Sequence, residues 1–594
     1  MKNYPKIGIR PTIDGRQGGV RESLEEKTMA MAQAAKALIE SHLHYADGTP
    51  VQCLVASRTI GGRGDAGIVQ EEFIGQNIVA TLTVTPSWCY GTETLDLDPS
   101  TVKAVWGFNG TERPGAVYLA AAMAGYAQKG LPAFKIYGQE VQELDDNTIP
   151  DDVAAKILIF ARAAFAIGQM KGKSYVNIGA SSMGIAGSQI DSKFFNNYLG
   201  MGVEFVDMTE ILRRMTLEIY DQSEYEKALR WIKENCPEGI DINAGKDFPE
   251  LITKSKVVPA DKDWEFIAKQ AIIIRDILFG NEKLAEIGWE EEARGRNAIA
   301  GGFQGQRQWT DWLPNGDFTE AILASSFDWN GPRPVTAFAT ENDSLNAASM
   351  LFATLLTNKA AMFSDVRTYW SPESVARVTG KKLSGHASSG ILHLINSGAS
   401  ALDWTAAAKD ADGQGTMKEF WKMSEEDIQA CLTATDWCRA NYEYFRGGGF
   451  SSHFKTQAEL PCTMLRINLI DGVGPTLQLA EGWTCVLDDE IHQILDERTD
   501  KTWPTTWFAP RLGELGFESV YDVMNHWGAN HGAIVMGHIG SDVLALASML
   551  RIPVALHNIP KERIFRPAMY DGFGTKELEA ADFAVSRQLG ALYK

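Results

Sequence analysis

The sequence predicts two consecutive α/β domains followed by a β-rich domain. At 594 residues the chain is longer than the roughly 250–300 residues at which one hydrophobic core stops growing, so several domains are expected. Through the first half, short apolar runs alternate with helical patterns, which is typical of parallel sheets built from βαβ units. From about residue 360 onward, glycine-rich breaks separate β-type runs, which favours a β-rich fold with a few helices.

The first α/β domain is predicted over residues 1–172. Apolar residues recur at helical spacing in Ser23–Ile39, and Gly115–Ala127 is rich in alanine, so both segments are expected to be helices. Apolar and β-branched residues are concentrated in five other runs, which are predicted strands. These runs are Ile7–Ile13, Val51–Ile60, Ile78–Pro86, Val102–Trp106 and Ala133–Tyr137.

The second α/β domain is predicted over residues 173–356. It begins with the strand Ser174–Ile178 and continues through a long charged helical stretch at about residues 220–297. It ends with the apolar strand Val335–Thr340 and the helix Leu345–Leu356.

The β-rich domain is predicted over residues 357–594. Its β-type runs include Ile391–Ile395, Thr463–Ile470 and Thr476–Ala480.

Composition narrows the class of protein. The formal net charge is −20, with 76 Asp and Glu against 56 Lys and Arg, which argues against a nucleic-acid or anionic-membrane binder because either needs a basic surface. The seven cysteines form no C-x-x-C pair, which fits a reducing compartment. The sequence starts without an apolar signal core and contains no run of roughly 18 apolar residues, so a cytoplasmic location is expected.

Three common catalytic motifs are missing from the sequence. It contains no G-x-x-x-x-G-K-[ST], no G-x-S-x-G, and no G-x-G-x-x-G that opens a helix after a strand. Phosphoryl transfer, serine hydrolysis and nicotinamide chemistry therefore lose most of their support.

Two carboxylates each follow an apolar strand-like run. Glu341 comes directly after Val335–Thr340, and Asp365 comes after the run at 361–364. The 24-residue interval suits one strand–helix–strand crossover, which would place both carboxylates in neighbouring loops at the ligand-binding edge of a sheet. Each could instead be a helix cap or an ion-pair partner, and Arg367 is an available partner for Asp365.

The histidine pattern adds a third candidate. Eight of the ten histidines lie beyond residue 380, and His531 is bounded by small residues that let a ligand approach closely. Its neighbours His526, His538 and His557 match no zinc-protease or zinc-finger spacing, and any of these rings could be an ordinary hydrogen-bonded histidine.

Glu341, Asp365 and His531 together would form an oxygen-rich ligand set. Such a set suits Mn²⁺ or Mg²⁺ better than structural Zn²⁺. These residues thus indicate metal-assisted chemistry on a small polar molecule, but they do not identify the reaction.

Several motifs in one order make the sequence resemble the L-fucose isomerase family, which includes enzymes active on D-arabinose. The motifs span nearly the whole chain. They are Pro5–Pro11, Trp106–Gly115, Gly302–Arg307, Ala339–Asn346, Asp365–Glu373 and Trp527–Gly532.

The resemblance implies two α/β domains followed by a β-barrel-like C-terminal domain. It also implies a homohexamer with active sites at subunit contacts. Glu341 and Asp365 match the family's catalytic carboxylates, and with His531 they match its metal ligands. Mn²⁺ is the expected metal, with Mg²⁺ or Co²⁺ as alternatives.

Seven further residues match the family's substrate-binding positions or line the pocket. Met183 and Tyr444 are expected on its apolar side, whereas Arg16 could be an ordinary solvated arginine and Trp88 a core indole. The full set is Arg16, Trp88, Met183, Gln304, Ser397, Tyr444 and Asn530. Two departures from the family pattern are Ser87, where cysteine is common, and Ser364, where alanine is common.

The expected reaction is the conversion of L-fucose to L-fuculose and of D-arabinose to D-ribulose. It would pass through a metal-stabilised enediol, with the two carboxylates as acid and base. Alternatives are a metal-assisted hydride shift, a metal-dependent aldolase or lyase, and a non-catalytic sugar-binding or sensor protein, for which the two carboxylates would have no explanation.

Overall fold

A computed structural model describes residues 3–513, 516–573 and 578–594 of the chain. In these residues, a five-stranded and a four-stranded parallel sheet are followed by a seven-stranded, mainly antiparallel sheet. The predicted fold class is confirmed: two α/β units precede a strand-rich C-terminal region.

The first sheet has the strand order β2-β1-β3-β4-β5, and all its neighbours are parallel. The chain order reverses between β1 and β3, and ligands of open α/β sheets bind at the carboxyl ends of the strands at such a point. The strands are β1 Lys6–Pro11, β2 Gln52–Val55, β3 Ile78–Thr85, β4 Val102–Gly107 and β5 Ala133–Tyr137. The helices are α1 Glu25–His42, α2 Arg63–Phe73, α3 Gly91–Thr94, α4 Gly115–Gln128 and α5 Asp151–Met170.

Helix α5 is long and apolar enough, by length and composition, to cross a membrane. It includes Asp151, Asp152, Lys156 and Arg162, and ten of its 20 residues are buried against the first sheet and its neighbouring helices. It therefore packs as a core helix.

The second sheet has the order β12-β9-β6-β7 and is also parallel. The predicted helical stretch at 220–297 is divided into several helices and one short strand, β8, which pairs with the third region. The strands are β6 Ser174–Ile178, β7 Gly202–Val206, β8 Glu238–Asp241, β9 Ala298–Phe303, β10 Phe327–Asp328, β11 Gly331–Pro332 and β12 Ala337–Ala339. The helices are α6 Ser192–Phe194, α7 Thr209–Thr216, α8 Gln222–Asn235, α9 Glu250–Ser255, α10 Asp263–Phe279, α11 Glu282–Glu286, α12 Asp317–Ala324 and α13 Ser344–Thr357.

The third region contains a closed barrel. Its strands follow the order β19-β22-β13-β14-β21-β20, and β19 also pairs with β20, which closes the ring. The strands are β13 Met362–Trp370, β14 Ile391–Ile395, β15 Ala408–Lys409, β16 Gly415–Thr416, β17 Asp436–Arg439, β18 Phe450–His453, β19 Pro461–Ile470, β20 Gly474–Thr484, β21 Thr505–Pro510, β22 His531–Met536 and β23 Val554–Leu556. The helices are α14 Pro372–Thr379, α15 Glu425–Thr433, α16 Asp489–Asp496, α17 Val520–His526, α18 Gly540–Met549 and α19 Leu578–Leu589.

Helix α13 joins the second sheet to the barrel. Nearly all of its residues are buried, because it packs against β12 on one side and against β19 and β22 on the other. Its N-cap is Asp343, whose Oδ1 accepts hydrogen bonds of 3.1 Å from the backbone N–H groups of Leu345 and Asn346. The first turn of α13 is thereby fixed beside Glu341.

The predicted crossover between Glu341 and Asp365 is wrong. Glu341 follows β12 of the second sheet, whereas Asp365 lies inside β13, an antiparallel strand of the barrel. The strand continues past Asp365 because four of the next five residues are β-branched or aromatic and the segment pairs with β14. The two carboxylates therefore approach each other from different sheets.

Candidate active site

Glu341 lies in a strained turn at the end of β12. The turn, Thr340–Asn342, places Glu341 at φ 58° and Asn342 at φ 53°, a left-handed conformation that costs a non-glycine residue of order 1–3 kcal/mol. The Asn342 side chain anchors the turn: its Oδ1 accepts a 2.7 Å hydrogen bond from the Tyr175 hydroxyl, and its Nδ2 donates a 2.9 Å bond to Asn177. The second sheet thus determines where the Glu341 carboxylate points.

Asp365 and His531 are direct partners across two barrel strands. They oppose each other in the antiparallel pairing of β13 with β22. The His531 Nε2 atom lies 3.1 Å from Asp365 Oδ1 and 3.2 Å from Glu341 Oε2. Glu341 and His531 are buried, whereas the Asp365 side chain is 23% exposed. The three residues singled out from the sequence therefore meet at one place, with Asp365 nearest to solvent.

A buried aspartate and a buried arginine fix the orientation of His531 on the Nδ1 side of its ring. Asp343 Oδ2 lies 2.7 Å from His531 Nδ1 and 2.6 Å from Arg466 Nη1. An ionised carboxylate can only accept hydrogen bonds, so Nδ1 carries a proton and Nε2 faces Glu341 and Asp365. The Arg466 side chain is fully buried and also donates to the Gly187 carbonyl oxygen at 3.2 Å.

Neither Asp343 nor Arg466 was singled out from the sequence. A signal for Arg466 was present, because it is the one charged residue in the otherwise apolar strand run Thr463–Ile470. A charged residue buried in such a strand requires a partner.

The charges of this cluster shift three pKa values. Burial raises the pKa of the Glu341 carboxyl, the nearby charge of Asp365 adds to the rise, and His531 opposes it. Burial also acts to raise the pKa of Asp343, but Arg466 and His531 outweigh it and hold that pKa well below its usual value. Burial acts to lower the pKa of His531, but the hydrogen bonds that Asp343, Asp365 and Glu341 accept from its ring raise it well above 6.5.

Two further buried carboxyl groups lie on α12 near Glu341. Burial raises the pKa of both Asp317 and Glu320 well above its ordinary value, and the charge of Glu341 raises them further. Asp317 accepts a 2.7 Å hydrogen bond from the Ser451 hydroxyl, and the Thr340 side chain opposes the rise of the Glu320 pKa. The direction of both shifts favours the neutral carboxyl form, and Glu341 is the buried acid that faces Asp365 and His531.

The donor atoms of Glu341, Asp365 and His531 are of the type that a hard divalent cation takes. Within the part of the chain that the structure describes, no group of three His, Cys, Asp or Glu side chains is already arranged around one metal position; these three contact one another directly. Neighbouring ligands of an octahedral ion with bonds of about 2.1 Å are about 3.0 Å apart, close to the 3.1 and 3.2 Å measured here.

Ser397 and Asn530, both predicted to bind substrate, lie in this cluster. The Ser397 hydroxyl donates to Glu341 Oε1 at 3.4 Å and accepts a 2.8 Å bond from Gln306 Nε2. Asn530 Nδ2 lies 2.9 Å from His531 Nε2. Gln306 was not singled out from the sequence, although it lies in the quoted motif Gly302–Arg307.

Gln304 and Met183 lie on turns that border the cluster. Gln304 Oε1 accepts a 3.0 Å hydrogen bond from the backbone N–H of Ala180, which fastens the β9 end to the turn after β6. Met183 on that turn is 58% exposed and adopts φ 54°. These turns and the Glu341 turn all contain left-handed non-glycine residues, a kind of strain that collects at ligand sites.

Arg16 and Trp88 lie elsewhere, at the reversal point of the first sheet. Arg16 follows β1 and forms an ion pair with Asp14, and Trp88 follows β3 with 39% of its surface exposed. Among the described residues, neither side chain has a hydrogen bond, ion pair or ring contact with Glu341, Asp365 or His531. The chain by itself does not bring these two residues to the cluster.

Tyr444 stands outside the cluster on the barrel side. It is 53% exposed, and its ring centre is 6.0 Å from that of Trp503, over which the Arg367 guanidinium lies at 5.8 Å. Arg367 therefore stacks on an aromatic ring and forms no ion pair with Asp365 in the described structure. The alternative role of Asp365 as the ion-pair partner of Arg367 is not supported.

The two departures from the family pattern have local roles. The Ser364 hydroxyl donates a 2.8 Å hydrogen bond to the Gly532 carbonyl oxygen and so fastens β13 to β22 beside Asp365 and His531. The Ser87 hydroxyl donates to the Trp88 carbonyl oxygen at 3.1 Å.

Comparisons with known proteins cover the whole chain. Three family models match: "L-fucose isomerase, first N-terminal domain" over residues 4–172, "L-fucose isomerase, second N-terminal domain" over 173–358, and "L-fucose isomerase, C-terminal domain" over 394–557. The chain is 80% identical over 594 residues to the L-fucose isomerase of Clostridium perfringens, with all of both chains covered. It is 59% identical to that of Bacteroides fragilis strain YCH46 over 597 residues and 56% identical to that of Streptococcus pneumoniae TIGR4 over 595, again with full coverage.

Proposed function

Because this chain belongs to the L-fucose isomerase family, we propose that it interconverts L-fucose and L-fuculose, and also D-arabinose and D-ribulose. The observation that carries the proposal is the meeting of Glu341, Asp365 and His531, with both carboxylates within 3.2 Å of one imidazole nitrogen. A binding protein without turnover has no use for two carboxylates placed in this way.

We further propose that these three side chains hold Mn²⁺, with Mg²⁺ or Co²⁺ as alternatives. When bound, the cation would act as a Lewis acid on neighbouring sugar oxygens and increase the acidity of the adjacent C–H bond. His531 is suited to the role because its Nδ1–H donates to Asp343, which leaves the Nε2 lone pair for the cation. Arg466 keeps Asp343 ionised and thereby keeps this tautomer.

The two carboxylates would move the protons of the isomerisation. An aldose becomes a ketose when the proton on C2 is removed, an enediol forms, and C1 receives a proton. One of Glu341 and Asp365 removes the first proton and the other serves proton transfer at oxygen or carbon, with the roles exchanged in the reverse direction. The raised pKa of Glu341 brings its proton affinity closer to neutral pH, where a carboxyl group can both accept and return a proton.

Polar side chains around the pair would orient the open-chain sugar. Ser397 and Gln306 are linked to each other and to Glu341, and Asn530 lies beside His531. Each can donate to and accept from a hydroxyl group, because hydroxyl and amide groups have both capacities.

We propose that Arg16 and Trp88 complete the site of a neighbouring copy in a homohexamer. This accounts for two substrate-binding candidates that lie at a ligand-binding edge of the first sheet yet do not contact the Glu341 cluster of their own chain. A cytoplasmic location belongs to the same proposal, since all seven cysteines are buried free thiols.

The decisive experiment is incubation of the Mn²⁺-loaded protein with L-fucose and with D-arabinose in deuterated water. We expect ketose to accumulate with deuterium at C1, as an enediol route requires. Ketose without deuterium would indicate a hydride shift, shorter products would indicate a lyase, and sugar binding without any product would overturn the isomerase proposal.

A further inference from the structure

The first sheet has one apolar face and one polar face. Ile7 and Ile9 of β1 point into the main core, whereas Gly8 faces the other side, where it packs directly against Phe73 of α2. Arg10 shares the face of Gly8, because alternate residues of a strand point the same way. This second face is the polar one.

The strand register continues the polar face across the sheet. Gly8 of β1 pairs with Thr81 of β3, which pairs with Lys103 of β4, and Arg10 pairs with Thr83. All four polar side chains are at least nine-tenths buried. Parallel sheets that are covered on both faces are usually apolar on both, so these buried polar groups need partners.

Most of the groups on this face have partners inside the chain. Lys103 Nζ donates to the Thr101 carbonyl oxygen at 2.7 Å and lies 3.7 Å from Asp96. The Asp96 carboxylate in turn accepts hydrogen bonds from the hydroxyls of Thr81 at 2.7 Å and Thr101 at 2.8 Å. The hydrogen bonds of Asp96 and Lys103 are therefore made without Arg10.

Arg10 is different from every other buried arginine or lysine among the described residues. The others donate to an oxygen: Lys27 to Asp146, Lys103 to Thr101, Arg214 to Glu210, Arg466 to Asp343 and Arg566 to Asp582. Within the described ranges, the Arg10 guanidinium makes no hydrogen bond or close ion pair, and its Nη1 is enclosed without an acceptor. The Asp96 carboxylate attracts its charge without contacting it directly. A buried guanidinium N–H without an acceptor is unfavourable, so the position favours an anion that can accept its hydrogen bonds.

The guanidinium lines a groove large enough for a small molecule. The groove has a volume of about 790 Å³ and lies between α2 and the segment 95–101. Its polar lining includes Arg10, Thr81 and Asp96, and its apolar lining includes Val69, Phe73 and Leu95. The charged groups that line it are Arg10, Arg63, Lys171, Asp96 and Asp98.

We propose that this groove binds a small organic anion whose carboxylate or phosphate group pairs with Arg10 and whose apolar part packs on Val69, Phe73 and Leu95. A guanidinium recognises such groups well because two parallel N–H groups match two oxygens. The groove is separate from the candidate active site, since none of its lining residues belongs to the Glu341 cluster. The proposal therefore does not depend on the proposed sugar chemistry.

The test is calorimetric titration of the full-length protein with inorganic phosphate and, separately, with butyrate, at constant ionic strength maintained with chloride. We expect one saturable site per chain for at least one of the two anions, and the anion that binds more tightly identifies the phosphate or the carboxylate source. Arg10→Met should weaken binding at least about tenfold, because a charge-assisted hydrogen-bonded pair is lost. Arg230→Met removes an equal charge from the exposed face of α8 and should leave binding unchanged.

Thermal unfolding separates a ligand role from a structural role. Without the anion, Arg10→Met should be at least as stable as the parent, because it removes a buried guanidinium whose Nη1 has no hydrogen-bond acceptor. With the anion, the melting temperature of the parent should rise and that of Arg10→Met should not.

Three results would overturn the proposal: no saturable binding above the chloride control, equal binding by the parent and Arg10→Met, or a destabilised Arg10→Met together with a parent that does not respond to anions. If Arg10→Met fails to fold, Arg10→Lys replaces it. That variant keeps the charge but loses the two-pronged contact, so its affinity should fall, and parental affinity in Arg10→Lys would contradict the proposed pairing.

Discussion

Two regions differ in how their polar side chains are held. One is the Glu341 cluster, which consists of Glu341, Asp343, Asp365, Arg466 and His531. The other, called here the β1–β3 edge, is formed by the residues that follow the carboxyl ends of β1 and β3, among them Arg16 and Trp88. In the cluster, Asp343, Arg466 and His531 are buried and linked by bonds of 2.6 and 2.7 Å. At the edge, the Arg16 side chain is 58% exposed and its ion-pair partner is Asp14, two residues away. The side chains of the cluster are therefore fixed by contacts within the chain, whereas Arg16 at the edge is exposed to solvent.

This difference suggests that the two regions have different roles in the proposed site. Groups that move protons or hold a cation must be placed accurately, which requires packing and hydrogen bonds from several elements. Groups at an open edge are free to meet a ligand or another copy of the chain. The following predictions test the comparison, beginning with the largest expected effect.

Glu341→Gln should lower kcat by about 10²- to 10⁴-fold, the usual contribution of a positioned acid or base. The substitution keeps the size of the side chain and removes its ability to exchange a proton. Steady-state kinetics with L-fucose measures it, and Glu234→Gln, on the exposed face of α8, is the matched control. Normal turnover by Glu341→Gln would remove this residue from the chemistry.

Mixing two inactive variants should restore activity if the edge acts on a neighbouring copy. Arg16→Ala damages the edge and Glu341→Gln damages the cluster, so a mixed oligomer contains some sites in which both regions are intact. The two chains are unfolded together, refolded and assayed, with each variant refolded alone as the control. Absence of recovery in oligomers proven to be mixed would show that the edge does not serve a neighbouring site.

Asp343→Asn should weaken the affinity for Mn²⁺ by about 10- to 100-fold, the usual effect of losing the partner of a metal-binding histidine. It should also destabilise the protein, by about 3–5 kcal/mol, because Arg466 is left buried without its counter-charge. Asparagine is itself a good N-cap, so loss of the helix cap is not the cause.

Asp221→Asn is the control for that variant. Asp221 also caps a helix, α8, and pairs with a lysine, but that lysine, Lys283, is exposed. Metal titration and chemical denaturation should show no change in metal affinity and only a small change in stability. Equal effects in the two variants would contradict a special role for Asp343.

The affinity for the cation should fall about tenfold for each pH unit below the pKa of His531, because a proton and the cation compete for Nε2. That pKa is raised well above 6.5, since hydrogen bonds with Asp343, Asp365 and Glu341 outweigh the effect of burial. Calorimetry in buffers of different ionisation enthalpy should detect proton release on binding. An affinity independent of pH would place the ligand elsewhere, with His526 as the first candidate.

The same shift has a consequence for the metal-free protein. A raised folded-state pKa contributes stability that is fully present below the unfolded value of about 6.5. This contribution should be lost as the pH rises through the folded-state pKa of His531.

Met183→Ala should change the ratio of kcat/KM for L-fucose to that for D-arabinose by only about fivefold. The two sugars differ by one methyl group, and burial of such a group contributes about 1 kcal/mol. Both sugars should remain substrates in the parent protein. A parental preference above about 10⁴-fold would show that a simple apolar wall does not explain discrimination. Tyr444→Ala, on the other candidate residue, tests which side of the pocket holds the methyl group.

The sequence by itself determined the fold class and the candidate trio. The strands Ser174–Ile178, Ala133–Tyr137 and Ile391–Ile395 begin and end where their apolar runs predicted, because strand formation reads a local pattern of side chains. Glu341, Asp365 and His531 could be named because each lies in a short, recognisable motif.

Only the tertiary structure decided how those residues meet. Asp365 opposes His531 across two barrel strands, and Arg466 reaches Asp343 over 123 residues of chain, pairings that no local pattern encodes. Arg16 and Trp88, which the sequence grouped with the other substrate residues, lie on another sheet for the same reason. Local propensity selects the elements, whereas burial and long-range pairing select which of their side chains share one site.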